Sequence, residues 1–176
     1  MVRSFIAIDI PENVKKQIVD LQNQLPYFMG KKTELDNLHL TLKFLGEIDD
    51  SVVSDVKKLL ENIKLKKFEV TISEIGVFNE NFIKIIWLKL EGDGIFNLQN
   101  EIDLRLDNLF PREKRFMSHL TVARVKNIKN KKEFLDSLKK IKIPEIKFNV
   151  DNFILKKSIL KPEGPEYKDL GVYKLN

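Results

Sequence analysis

The tripeptide His-Leu-Thr occurs twice, at His39-Leu40-Thr41 and at His119-Leu120-Thr121. These are the only two histidines, and two of the four threonines, in a chain of 176 residues. The copies lie 80 residues apart, and the same offset relates Lys67-Phe68-Glu69-Val70 to Lys147-Phe148-Asn149-Val150. It also lays the segment near Phe5 over the segment near Ile85. A repeat of this length constrains the fold to two copies of one supersecondary unit. A two-fold arrangement of such units brings matched strands, and with them the matched histidines, face to face across a cleft.

The apolar pattern supports a strand, helix, strand, helix, strand order in each half. Residues 3–10 read as a strand. Residues 12–25 read as a helix through Val14, Ile18, Leu21 and Leu25, stopped by Pro26. A strand at 37–45 ends at Gly46, and Asp49-Asp50-Ser51 starts a helix carried by Val52, Val53, Val56, Leu59, Leu60 and Ile63. Strands follow at 67–77 and 82–90. The series then begins again. Gly92-Asp93-Gly94 opens a helix with Ile95, Leu98, Ile102, Leu106 and Leu109. A strand at 115–125, a helix at 130–141, a long strand at 145–158 and a short one at 170–175 complete it. Pro162-Glu163-Gly164-Pro165 marks a loop before the last strand. The expected organisation is one domain, 1–176, of two lobes, with repeat halves 1–78 and 79–158 and the strand 170–175 added.

Side chains alternate along a strand. In the first motif Leu38, Leu40, Leu42 and Phe44 share the core face, and His39, Thr41 and Lys43 share the other. In the second, Leu120 and Val122 take the core face, and His119 and Thr121 the opposite one. Strict alternation puts Arg124 with Leu120 and Val122, so it reaches the histidine face only through a bulge. Lys43, by the same rule, lies on the histidine face.

Imidazole is the side chain suited to proton transfer near neutral pH. A threonine hydroxyl donates one hydrogen bond without titrating, which suits a phosphate oxygen. Two His–Thr pairs around one anion can protonate a leaving oxygen, deprotonate an attacking water and hold the oxygens on phosphorus. A zinc or dinuclear site is disfavoured, because two histidines with no third His, Cys or carboxylate on the same face make a poor ligand set.

The charge balance agrees with an anionic partner. Lys+Arg number 31 against 26 Asp+Glu, a net charge of +5. The lysine runs at 57–58, 64–67, 129–132 and 139–142 read as solvated faces with some share in guiding RNA. With no cysteine, disulfides and thiolate chemistry are excluded. No apolar run approaches the roughly 20 residues of a membrane span. The opening Met1–Pro11 segment, interrupted by Asp9 and Pro11, reads as a strand of the fold and not as a signal peptide. A cytoplasmic, monomeric protein is expected.

The segments Asn37-Leu38-His39-Leu40-Thr41-Leu42-Lys43-Phe44-Leu45-Gly46-Glu47 and Phe116-Met117-Ser118-His119-Leu120-Thr121-Val122-Ala123-Arg124-Val125 resemble the two HxTx signatures of the two-histidine (2H) phosphoesterases. Within that superfamily they are most similar to the RNA 2′,3′-cyclic phosphodiesterase branch, also called LigT-like or 2′-5′ RNA ligase-like. The opening Arg3–Asp9 and the ending Ser158–Tyr167 are similar to that branch as well. One departure is Ser118, where the branch commonly carries proline.

The resemblance implies an α+β fold of two pseudo-symmetric lobes, each an antiparallel sheet with helices packed outside, around a positively lined cleft. It implies hydrolysis of an RNA 2′,3′-cyclic phosphate end, a tRNA fragment for instance, to a 2′-phosphate, with no metal and no cofactor. It further implies that His39 is the proton donor to the departing 3′ oxygen and His119 the proton acceptor from water, with Thr41 and Thr121 binding the phosphate. The residues themselves give the pair but not which histidine does which. Two alternatives stand beside this reading. One is a 2′-5′ RNA ligase or 2′-5′ phosphodiesterase on the same site. The other is an RNA- or nucleotide-binding module without turnover.

Overall fold

The computed structural model describes all 176 residues. Nine strands form one continuous sheet. In chain order they are β1 (Val2–Asp9), β2 (Met29–Lys32), β3 (His39–Ile48), β4 (Phe68–Val77), β5 (Ile85–Glu91), β6 (His119–Asn127), β7 (Ile146–Val150), β8 (Asn152–Lys161) and β9 (Gly164–Lys174). Four helices accompany them: α1 (Glu12–Asn23), α2 (Asp50–Leu60), α3 (Asp93–Arg105) and α4 (Lys131–Leu138). No helix is long and apolar enough to cross a membrane.

The helices form where the 3.6-residue pattern predicts them. Val14, Ile18 and Leu21 of α1, Val53, Val56 and Leu60 of α2, and Ile95, Leu98 and Ile102 of α3 are all buried. Two helices start on side-chain caps. Asp49 accepts from the Val52 amide at 3.0 Å, and Asn130 from the Glu133 amide at 3.2 Å. The buried helix faces join Leu40, Leu42, Leu88, Leu120 and Val122 in a single hydrophobic core.

Across the sheet the order is β7-β4-β5-β6-β3-β1-β8-β9, with β2 added along β6. Every strand pairing in it is antiparallel. The α+β architecture of two related lobes is therefore present, and the lobes share one sheet. They meet at β3 and β6, whose one registered pair is Leu40 with Leu120.

The repeat in the sequence does not map strand for strand onto the lobes. β3-β1-β8 on one side corresponds to β6-β5-β4 on the other. The third strand of each unit has crossed over: β4, from the first half, pairs with β5, and β8, from the second, pairs with β1. The helices cross too, with α1 packing on β6 and β7 and α3 on β3 and β4.

Several boundaries differ from the sequence reading; β3, for one, runs through Gly46 to Ile48, and three departures bear on the topology. The long strand at 145–158 is two strands, β7 and β8, broken at Asp151, so that one edges β4 and the other joins β1. The last strand begins at Gly164, because the Pro162-Glu163 turn closes a hairpin with β8. Strand β2 carries no apolar alternation and all four of its residues are exposed, so periodicity gives no sign of it.

One close approach is set by a glycine. Gly76 pairs with Trp87, and a Cβ at that position would lie 2.6 Å from the indole Cη2. Gly76→Ala should therefore push the indole off its seat and cost about 1–3 kcal/mol. A fall in Tm, partly reversed by Trp87→Phe, is the outcome that thermal melting should show.

Candidate active site

The Leu40–Leu120 pair sets the site. Both leucines are fully buried on the helix-covered face of the sheet. Their neighbours His39, Thr41, His119 and Thr121 therefore point to the opposite, uncovered face. In the antiparallel register His39 stands opposite Thr121 and Thr41 opposite His119. The two histidines are diagonal neighbours, a relation that spans roughly 7–8 Å between backbones. The structure thus brings all four sequence-selected residues onto one surface.

Each imidazole is held in the same way. His39 Nδ1 donates to the Asn37 carbonyl at 2.8 Å, and His119 Nδ1 to the Met117 carbonyl at 2.8 Å. The acceptor is two residues before the histidine in both cases. With Nδ1–H committed to the backbone, the neutral ring keeps its lone pair on Nε2. His39 Nε2 lies 3.1 Å from Thr41 Oγ1, whose hydroxyl donates to it.

The surroundings of the two rings differ. His39 is packed between Phe5 and Tyr167, with ring centroids 4.9 and 5.1 Å away. His119 meets Phe78 edge to face at 4.9 Å, and Phe78 in turn leans on Trp87. Burial dominates the titration of His39, lowering its pKa to about 4. The Asn37 hydrogen bond and the Asp9 carboxylate oppose that shift, and Lys156 and Arg124 add to it. Lys156 itself sits buried between Asp9 (2.9 Å) and Asp169 (2.7 Å).

A matched pair of bulges corrects the strict alternation. Ala7 pairs with Thr41 but Ile6 with Lys43, so Leu42 and Lys43 together face Ile6. Trp87 pairs with Thr121 but Ile86 with Ala123, so Val122 and Ala123 together face Ile86. Each bulge reverses the faces beyond it. Arg124 is thereby exposed on the histidine side, close enough to act electrostatically on both His39 and Tyr167. Phe44, expected in the core, is instead 72% exposed, within 6.2 Å of Phe5.

Lys43 goes the other way, and its expected place on the histidine face is overturned. It is buried against Asp103 of α3 and donates to the Pro111 carbonyl at 2.8 Å. Asp103 also accepts from Gln99 at 2.8 Å and from the Glu113 amide at 2.9 Å. These bonds and the Lys43 charge hold the Asp103 carboxyl below the usual carboxylate range, against its burial. Sequence reasoning missed Phe5, Tyr167 and Phe78 as neighbours of the rings. For Phe5 a signal existed, since it shares a strand face with Asp9. No group of three or more His, Cys, Asp or Glu side chains is placed to hold a metal ion.

This geometry, two HxTx motifs side by side on the open face of a duplicated α+β fold, is that of a phosphoesterase of the two-histidine class. The LigT like phosphoesterase family matches the chain twice, over residues 8–87 and 88–167. The chain belongs to that family. An RNA 2′,3′-cyclic phosphodiesterase of Methanocaldococcus jannaschii is 38% identical over 169 residues, 94% of this chain and 96% of that protein. One of Thermotoga maritima is 35% identical over 96% of this chain and 92% of that protein. A crystal structure from Thermus thermophilus superposes with a TM-score of 0.83 at 28% identity, covering 98% of this chain and 97% of that one. Escherichia coli LigT complexed with phosphate gives 0.77 at 25% identity, covering 99% and 98%.

The burial of His39 links it to stability. Its folded pKa, about 4, lies below the ordinary value of 6.5, so between these pH values the unfolded chain binds a proton that the folded chain refuses. Stability should be complete above pH 6.5 and fall as pH drops towards 4. His39→Asn should flatten that slope, as read by denaturant melts across the window. NMR of the His39 ring should show it neutral at pH 6, with its titration moving upwards when inorganic phosphate is added.

Proposed function

We propose that this protein hydrolyses the 2′,3′-cyclic phosphate at an RNA end to a 2′-phosphate, by acid–base chemistry between His39 and His119. The observation that carries the reading is the pair of imidazoles, tautomer-fixed by matched backbone carbonyls and set diagonally on one open face. Relatives at 38% and 35% identity over nearly the whole chain bear the name of that activity.

The phosphorus sits between the two Nε2 atoms. One neutral imidazole takes a proton from water as the water oxygen bonds to phosphorus. The bond from phosphorus to the 3′ oxygen breaks, and the other ring, as imidazolium, gives its proton to that oxygen. The 2′ ester survives, so the product is a 2′-phosphate. One proton has moved from one ring to the other, and solvent exchange restores both. Thr41 and Thr121 donate to the non-bridging oxygens, and the Arg124 guanidinium offsets the charge that gathers there. The chemistry needs neither a metal nor a cofactor.

The family pattern makes His39 the donor and His119 the acceptor. The bound phosphate anion works against the burial of His39 and favours its protonated form. A second reading has its own observation: the burial that lowers the His39 pKa to about 4 suits a ring acting as base, with His119 the acid. The two are separated by replacing the 3′ oxygen of the substrate with sulfur, because a thiolate departs without protonation. That substrate should rescue the variant lacking the acid and leave the variant lacking the base impaired. Rescue of His39→Ala supports the family assignment, and rescue of His119→Ala supports the exchange of roles.

Turnover of a nucleoside 2′,3′-cyclic phosphate distinguishes this enzyme from a binding module. His39→Ala and His119→Ala should each lower kcat by about 10²–10⁴-fold. The double variant should be little worse than the worse single. Thr41→Ala and Thr121→Ala should cost less, and activity should persist in excess EDTA. Loss of activity on chelation, restored by one divalent ion, would contradict the mechanism.

A further inference from the structure

Two buried polar contacts link each repeat to the motif of the other, and the chemistry above leaves both without a role. In the first, the Gln22 side chain of α1 is buried and its amide nitrogen makes two bonds. It donates to the Thr33 carbonyl at 2.9 Å and to the Val122 carbonyl at 2.8 Å. Thr33 lies on the segment that leads into His39. Val122 is the first residue of the bulge that turns Arg124 onto the cleft face. The Val122 carbonyl also accepts from the Thr33 amide at 2.9 Å.

The second contact has the same plan by different chemistry. Asp103 of α3 accepts from the Glu113 amide, on the segment that leads into His119. It also meets Lys43, the second residue of the bulge that turns Phe44 outwards. Gln22 and Asp103 are one position apart once the 80-residue offset is removed. In both cases the first helix of a repeat ties its own histidine's lead-in to the bulge after the other histidine.

A bulge leaves part of the ladder unpaired, and its backbone is held in place only if the freed groups find partners. At Val122 the partners are Gln22 and Thr33. We propose that Gln22 is a positioning residue for phosphate binding: by holding the Val122 bulge it aims Arg124 across the seam at the anion between the histidines. This rests on the reading of Arg124 as a phosphate ligand given above. Gln22 touches no substrate, and its effect passes through Arg124.

A double-mutant cycle tests this, in the full-length protein, with two readouts. One is kcat/KM for a nucleoside 2′,3′-cyclic phosphate, and the other is the affinity for inorganic phosphate by calorimetry. Gln22→Leu, or the nearly isosteric Gln22→Met, should weaken both by about tenfold in the wild-type background, the size of coupling expected within one hydrogen-bonded network. In the Arg124→Ala background the same substitution should cost about twofold or less. As a comparison, Lys43→Met with Asp103→Leu acts on the His119 side and should keep its effect when Arg124 is absent.

Equal losses with and without Arg124 would overturn the proposal, as would a fall in Tm with both readouts unchanged. Failure of both Gln22 variants to melt cooperatively would also overturn it, since the contact would then serve folding alone. Wild-type protein that binds phosphate without turnover would sink the hydrolase reading, and the affinity cycle would still decide the role of Gln22. Wild-type protein that does neither would remove both.

Discussion

Leu40 and Leu120 pair across the middle of the sheet, the one registered contact between β3 and β6. Both are fully buried, so neither can turn outwards without losing its place in the core. Side-chain direction alternates strictly on either side of the pair. The positions of four polar groups are therefore fixed by the burial of two apolar ones. A slip of one residue in either strand would carry a leucine to the open face and a histidine into the core. The site is as accurate as that register, which the apolar contacts of Leu88, Leu42 and Val122 reinforce from the helix-covered side.

The repeat, the helices and the four motif residues were legible because each rests on a regular pattern. The 80-residue offset needs only identity of residues, and His39 and Thr41 share a face by alternation alone. Lys43, Phe44 and Arg124 were not legible, because a bulge breaks the alternation and nothing in Leu42-Lys43 or Val122-Ala123 marks one. Strand β2 was hidden for another reason. It is exposed and short, and it exists because the unpaired edge of β6 gives its backbone a partner. The crossing of β4 and β8 leaves no trace in periodicity, since a strand pattern does not name its neighbour.

The two motifs are alike in sequence and in backbone but not in what packs around them. The same Nδ1 contact to a carbonyl two residues back holds both rings. His39 is then enclosed by Phe5 and Tyr167, and desolvation resists its charging. Tyr167 stands on β9, which edges β8 as β7 edges β4 in the other lobe. The enclosure of His39 comes from Phe5 and Tyr167, with the motifs themselves left unchanged.

The exchanged strands bear on how the chain can come apart. Because β4 belongs to the sheet of β5 and β8 to that of β1, neither 80-residue repeat contains a complete lobe. A cut between the repeats, in the loop from Val77 to Ile85, would give two pieces that each lack a strand the other holds. Such pieces are reciprocal templates: each closes the other's sheet edge and neither closes its own. The layout is that of an interlocked pair, in which each repeat completes the other's sheet and contributes one histidine to the shared face. Carried on one chain, that pairing is intramolecular and does not depend on concentration.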